Sequence, residues 1–348
     1  MLTVDIIISA FNKPKELLTA LESVYKQSYK KWKVIIIGDC CKKSFINKIS
    51  PLPKNVKFIN LPFRVGNQYG PNSLGMYLSK SDIITFLNHD DVWLSDHLEN
   101  LVYKFQKEKP DIFFSKAAFC HNFNLKEIVK IKKRLVFSEI NKPHLYWRII
   151  HSPFYIFEPA SAIAISSSYA KKIGYWNRPE DCRGFTPLVE WLQRCIIFSK
   201  SSYFENKITV IKLNLHHNHN SINFKNKIFS SIKSFFRPHY FSKRPYSDLV
   251  YKLLNQPADD VRQNIESDLN NHLHYSLLNR SHTLPNMEDV NIKKIFLKIK
   301  NHSDLEKISN PNPFDNISLL RNRTGEKFKV FLTVSDLIKK YENNIKKK

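Results

Sequence analysis

Ile83-Ile84-Thr85-Phe86-Leu87-Asn88-His89-Asp90-Asp91-Val92-Trp93 is the stretch on which the reading of this chain turns. Its first five residues form an uninterrupted run rich in β-branched and aromatic side chains, which reads as a buried strand. The run stops at two adjacent carboxylates. Two like charges so close repel unless a cation or strong hydrogen-bond donors compensate them. A divalent metal carrying phosphate oxygens is the usual compensation at a strand end. Taken alone, an aspartate pair in a loop is more often a solvated turn or helix cap, so the weight rests on the surrounding hundred residues.

Working outward, Val4 to Ser9 reads as a strand and Ala10-Phe11-Asn12-Lys13 as a turn. Pro14 suits the first turn of a helix, where its missing N–H costs nothing. Leu17, Leu18, Leu21, Val24 and Tyr25 recur at helical spacing to about Gln27. A second strand, Val34 to Ile37, ends at Gly38-Asp39, and a third is expected at Val56 to Asn60. A helix around Asn72 to Leu78 precedes the strand that leads to Asp90. Strands alternating with helices predict an α/β domain with a mostly parallel sheet and right-handed crossovers. Ligands bind such sheets beyond the carboxyl ends of the strands. Ser9, Asp39 and the Asp90-Asp91 pair all fall at such ends.

These residues also carry a resemblance. Asp5-Ile6-Ile7-Ile8-Ser9-Ala10-Phe11-Asn12-Lys13, Leu21 to Tyr29 with Gln27-Ser28, Val34 to Asp39, and Phe86 to Trp93 stand in the order and spacing of the family 2 glycosyltransferases. The resemblance runs over roughly residues 3 to 200. It implies the GT-A fold, a single Rossmann-like domain over 1–220 that binds a nucleotide-sugar and a divalent metal, Mn²⁺ or Mg²⁺. It further implies transfer of a sugar from a nucleoside diphosphate, most often UDP, with inversion at the anomeric carbon. Carried over position by position, Ser9 and Phe11 contact the nucleotide, with Phe11 against the base. Asp39 accepts a hydrogen bond from the base, a task that suits a carboxylate facing an imide N–H. Asp90 lies near the ribose and Asp91 binds the metal. Core packing for Phe11 and an Asx turn for Asp39 are the plainer structural readings.

An inverting transfer needs a carboxylate to take the acceptor's proton. In the family this base lies in an acidic segment followed by an aromatic and an arginine, which Glu190-Trp191-Leu192-Gln193-Arg194 resembles, with Gly174-Tyr175-Trp176-Asn177 as its lead-in. Asp181, in Pro179-Glu180-Asp181, competes; register favours Glu190. Against this, Glu190 and Arg194 at i and i+4 can simply be a helix ion pair. Asn72 stands where many members place an arginine near the nucleotide, while Arg64 lies upstream. The Gly38-Asp39-Cys40-Cys41 loop also departs from the family pattern.

Composition sets the outer bounds. The chain has 348 residues and only seven glycines, and neither a P-loop nor a GxGxxG pattern occurs. A formal net charge of +24 attracts polyanions, which means phosphate-bearing substrates, nucleic acid or an anionic membrane. The five cysteines, Cys40, Cys41, Cys120, Cys182 and Cys195, have no metal-ligand spacing and fit a reducing compartment. No signal peptide is indicated, and no stretch approaches the roughly 20 apolar residues of a membrane span. The expectation is a cytoplasmic protein able to sit at the cytoplasmic face of a membrane.

Past residue 200 the resemblance fades. Leu215-His216-His217-Asn218-His219 offers His217 as a further metal ligand, a polar loop being the plainer reading. Residues 221–348 interleave basic and aromatic side chains and show apolar spacing at Leu249, Val250, Leu253, Leu254, Val261 and Ile265. They read as a mostly helical, basic appendage for acceptor binding, membrane docking or self-association. Two functions of different class follow. One is a glycosyltransferase acting on a cell-surface glycan or lipid-linked acceptor. The other is a degenerate GT-A-fold protein that binds nucleic acid or anionic lipid without catalysis; no nucleic-acid motif is visible.

Overall fold

In the computed structural model the described residues are 1–120, 160–182, 186–213, 253–263 and 331–346. His217 and most of 221–348 lie outside them.

Four parallel strands form the first half of the sheet: β1 (Val4–Ala10), β2 (Trp32–Gly38), β3 (Val56–Asn60) and β4 (Ile83–Phe86). They are linked by α1 (Pro14–Tyr25), α2 (Lys43–Ile49) and α3 (Tyr69–Leu78). Further elements among the described residues are β5 (Asp91–Trp93), α4 (His97–Glu108), β6 (Ile112–Cys120), β7 (Ile163–Ser166), α5 (Ser167–Ile173), α6 (Pro187–Phe198), β8 (Ser202–Leu213) and α7 (Val334–Lys346). The strand order is β3-β2-β1-β4-β7-β6-β8-β5. The mostly parallel expectation describes the first four strands. Beyond β4 the sheet is mixed, since β7 runs against both β4 and β6, and β5 against β8.

The strands obey period 2. Val4, Ile6, Ile8 and Ala10 of β1, with Val34 and Ile36 of β2, join Leu17, Leu21, Phe45 and Leu101 in one apolar layer. Ile7, Ile35 and Ile37 face the other way, into a layer with Leu74, Trp176 and Trp191. Gly75 lets α3 close on this second layer: a Cβ there would stand 2.4 Å from Ile7 Cγ2. Buried polar residues fasten the corners. Asp5 Oδ2 accepts from the Ser79 hydroxyl and from the Lys80 and Ser81 N–H groups, ending α3 where β4 begins. Gln27, fully buried, donates to the Ser23 and Leu94 carbonyls and accepts from Leu98 N–H, tying the end of α1 to the start of α4.

One feature of the topology positions the site. Only residues 87–90 separate β4 from β5, yet β5 is the far neighbour of β8, four places away in strand order. Four flat strand spacings come to roughly 19 Å, more than this short link comfortably spans, so the sheet curls back on itself. Register shifts beside Lys116 in the β6–β8 ribbon accompany the bend. The end of β8 is thereby returned to the Asp90-Asp91 turn.

The C-terminal segment is part of this body. Phe331, Leu337 and Tyr341 belong to the second apolar layer, and α7 lies on α3. Tyr69 donates its hydroxyl to the Leu332 carbonyl at 2.6 Å. Within 253–263, Arg262 donates to Asp96 at 3.0 Å and to the Ile208 carbonyl. The boundary drawn at 220 lies outside the described residues, but the described parts of 221–348 pack on the α/β domain.

Candidate active site

The loops after β1 and β2 brace one another. Asp39 N–H donates to the Ala10 carbonyl at 2.9 Å. Asn60, at the end of β3, accepts from Cys41 N–H at 2.8 Å and returns its amide to the Cys41 carbonyl at 2.9 Å. Asn12 Oδ1 accepts from Lys42 N–H at 3.0 Å. Gly38 is required by close approach, since a Cβ would stand 2.6 Å from Asn60 Oδ1. This frame fixes Asp39, whose two carboxylate oxygens accept from Val65 N–H at 2.5 Å and Gly66 N–H at 2.8 Å. Asp39 therefore ties the β2 loop to the segment leading into α3.

Ser9 is the penultimate residue of β1, and its carbonyl lies 3.2 Å from His89 Nδ1. Phe11 is half-buried, with the Arg64 guanidinium 4.5 Å above its ring, a cation–π distance. Asn72 is buried within α3, 2% exposed. Of the two residues weighed for charge near the nucleotide, Arg64 is the one brought to Phe11.

Asp91 opens β5 and is completely buried. Its Oδ2 accepts from the Ser161 hydroxyl at 2.5 Å and from the Asn88 amide at 2.8 Å. Ser161 in turn accepts from Asn88 N–H, and its carbonyl takes the Trp93 indole N–H. Asp91 Oδ1 has no hydrogen-bond partner, while Lys212 Nζ stands 3.5 Å away. Burial pushes the Asp91 carboxyl up, Lys212 holds it down and Asp90 pushes it up again. Burial likewise holds His89 below its ordinary value, and its Nε2 is buried without a hydrogen bond. Burial raises Glu16 on α1, and Asp90 adds to that rise. Asp90 itself is half-buried between these groups.

Among the described residues no cluster of three or more His, Cys, Asp or Glu is arranged to hold a metal. A divalent ion on a diphosphate, however, takes only one or two protein carboxylates, the phosphates and water supplying the rest. The buried, unbonded Oδ1 of Asp91, with Asp90 adjacent, fits that requirement. His217 lies outside the described residues.

The two base candidates differ sharply. Glu190, on the first turn of α6, is 3% exposed, and both its oxygens are held by Arg194 at 2.7 and 2.9 Å. Arg194 also donates to the Ile173 and Tyr175 carbonyls. The i,i+4 pair is thus a buried brace for the 173–175 bend rather than an open carboxylate. Asp181 ends a short 3₁₀ turn, Pro179–Asp181, with about half its side chain exposed; it accepts from Arg178 Nε at 2.8 Å. Glu180 beside it accepts from Phe331 N–H.

Sequence reasoning passed over Ser161, Asn60 and Lys212. Asn60 had a local signal, an amide at a predicted strand end. Ser161 and Lys212 had none, because their meaning depends on which strand they face.

Residues 5–152 match Glycosyl transferase family 2. Over this segment, which is less than half of its length, the chain is similar to that family. The matched segment holds Ser9, Phe11, Asp39, Asn72, Asp90 and Asp91. The chain is 28% identical over 101 residues to the amylovoran biosynthesis glycosyltransferase AmsB of Erwinia amylovora, covering 27% of this chain and 33% of that protein. It is 30% identical over 120 residues to the UDP-Glc:alpha-D-GlcNAc-diphosphoundecaprenol beta-1,3-glucosyltransferase WfaP of Escherichia coli, covering 32% of this chain and 44% of that one. The chain thus spans less than half the length of either curated relative. Among solved structures, S. aureus TarS 1-349 in complex with UDP-GlcNAc aligns with a TM-score of 0.46 at 14% identity, over 99% of this chain and 92% of that one.

Proposed function

We propose that this chain is an inverting glycosyltransferase. It moves a sugar from a nucleoside-diphosphate sugar, UDP being the first expectation, to a hydroxyl of a glycan or lipid-linked acceptor in cell-surface polysaccharide assembly. The observation that carries the reading is the placing of Asp39 and Asp91 beyond the ends of β2 and β4 within the family 2 segment. The E. coli relative is named for transfer from UDP-Glc to a diphosphoundecaprenol-linked sugar, which supports the donor and acceptor classes.

In this reading the braced loops after β1 and β2 receive the nucleoside, with Phe11 and Arg64 along the base and Asp39 accepting its imide N–H. Asp90 sits toward the ribose. Asp91 holds a divalent ion, Mn²⁺ or Mg²⁺, which when bound stabilises negative charge on the departing diphosphate. Of the two carboxylates weighed as base, Asp181 is the one open to an acceptor. It takes the hydroxyl proton as that oxygen bonds to the anomeric carbon from the face opposite the diphosphate, whose glycosidic C–O bond breaks. Among the described residues no helix is long and apolar enough to cross a membrane. A lipid-linked acceptor would then be met at the membrane surface, where the basic charge of the chain helps.

Calorimetric titration with UDP, GDP and dTDP, each with and without Mn²⁺, tests the proposal. Metal-enhanced binding of one nucleotide, abolished in Asp91→Asn, is expected. A folded protein that binds none of them would overturn it.

A further inference from the structure

The contact between Asp91 and Lys212 is built by the sheet rather than by neighbouring sequence. In the antiparallel β5–β8 pair the two residues are register partners. Directly opposed residues of such a pair project to the same side, with Cβ atoms about 5 Å apart. One oxygen of Asp91 is taken up by Ser161 and Asn88; the other has no hydrogen bond and meets the Lys212 ammonium at 3.5 Å. That separation exceeds the roughly 2.7–2.9 Å of a charge-assisted hydrogen bond. The ammonium therefore compensates the buried charge without closing the oxygen. Lys212 is also partly exposed, 31% at its side chain, while Asp91 is fully buried. A point charge on a flexible four-carbon stem can leave the carboxylate for another anion at short range.

We propose that Lys212 is a positioning residue of the donor site: a resident cation that shares the open oxygen of Asp91 with the divalent ion and turns to the donor's diphosphate when that ion enters. The proposal rests on the donor-site reading given above. Two cations on one oxygen repel, so the metal and the ammonium oppose each other at Asp91 in the absence of nucleotide. With a diphosphate present both find anionic partners, and the opposition is relieved. The same lysine gives the site a metal-independent hold on a diphosphate, which a site of carboxylates alone would repel.

The test compares the full-length wild type with Lys212→Met and Lys212→Gln, each checked for native circular dichroism. Mn²⁺ binding to the nucleotide-free protein is read by the electron paramagnetic resonance signal of free Mn²⁺, and UDP binding in EDTA is read by calorimetry. Removing the ammonium should tighten Mn²⁺ binding by about tenfold and weaken metal-free UDP binding by about tenfold, the two moving in opposite directions. Unchanged Mn²⁺ affinity, or affinities for Mn²⁺ and UDP that fall together, would overturn the proposal. If the wild type binds UDP under no condition, the donor-site reading fails instead. The Mn²⁺ arm then still decides whether Lys212 opposes a cation at Asp91. Should Lys212→Met fold poorly, Lys212→Gln carries the same comparison.

Discussion

Glu190 and Asp91 are both buried carboxylates, and what faces each one separates their roles. Glu190 meets a guanidinium in a two-bonded fork that also donates to the Ile173 and Tyr175 carbonyls. Such a pair is structural, and removing one partner strands a buried charge at a cost of about 3–5 kcal/mol. Asp91 has one oxygen satisfied and one left open. Asp181, near the surface, has a single arginine contact. The substitutions should therefore separate cleanly. Arg194→Ala, which leaves Glu190 uncompensated, should lower the melting temperature markedly, and Glu190→Gln more modestly with turnover largely kept. Asp181→Asn should leave melting unchanged and cut kcat by about 100-fold or more, as expected for a lost general base. If Asp181→Asn turned over normally while the well-folded Glu190→Gln did not, the base assignment would be reversed.

Individual elements carry a pH dependence. His97, the first residue of α4, is buried against Trp93 with ring centroids 4.2 Å apart, and Nδ1 lies 2.8 Å from the Thr209 hydroxyl on β8. Burial pushes its pKa down to about 3, with Asp96 opposing. Between about pH 6.5 and that value the unfolded chain binds a proton that the folded chain refuses. Stability then falls as pH drops. Going from pH 7 to pH 5 should cost about 2 kcal/mol from this residue alone. Urea unfolding midpoints of wild type and His97→Gln at both pH values would show it, and an equal loss in the variant would rule His97 out as the source. The same packing holds β8 in the register that sets Lys212 opposite Asp91.

At the scale of the whole molecule, the C-terminal helix α7 is a component of the core rather than an attachment. Leu337 is fully buried, and a Cβ at Gly70 would stand 2.9 Å from its Cδ1. Phe331 and Leu332 join Tyr69 and Glu180 just before it. Leu337→Ala should cost about 2–5 kcal/mol. Hydrogen exchange should accelerate in α3 as well as in α7. Acceleration confined to residues 334–346 would instead mark α7 as an independent attachment, with the α/β domain indifferent to it.

The sequence by itself determined the first four strands with helices α1 and α3. Uninterrupted apolar runs, the Pro14 helix start and the Gly38-Asp39 and Asp90-Asp91 stops are local signals that need no partner to be read. The mixed half of the sheet was not legible, because β7 and β5 are short and their direction is set by which strands they meet. Glu190 and Arg194 were visible as a pair, but burial alone decided that they form a closed brace. Lys212 carried no local mark; only the curl of the sheet and the β5–β8 register bring a lysine 121 positions downstream to within 3.5 Å of Asp91. Local chemistry fixes which residues can hold a phosphate or a metal. Non-local strand pairing, which no short window of sequence encodes, fixes which charges stand beside them.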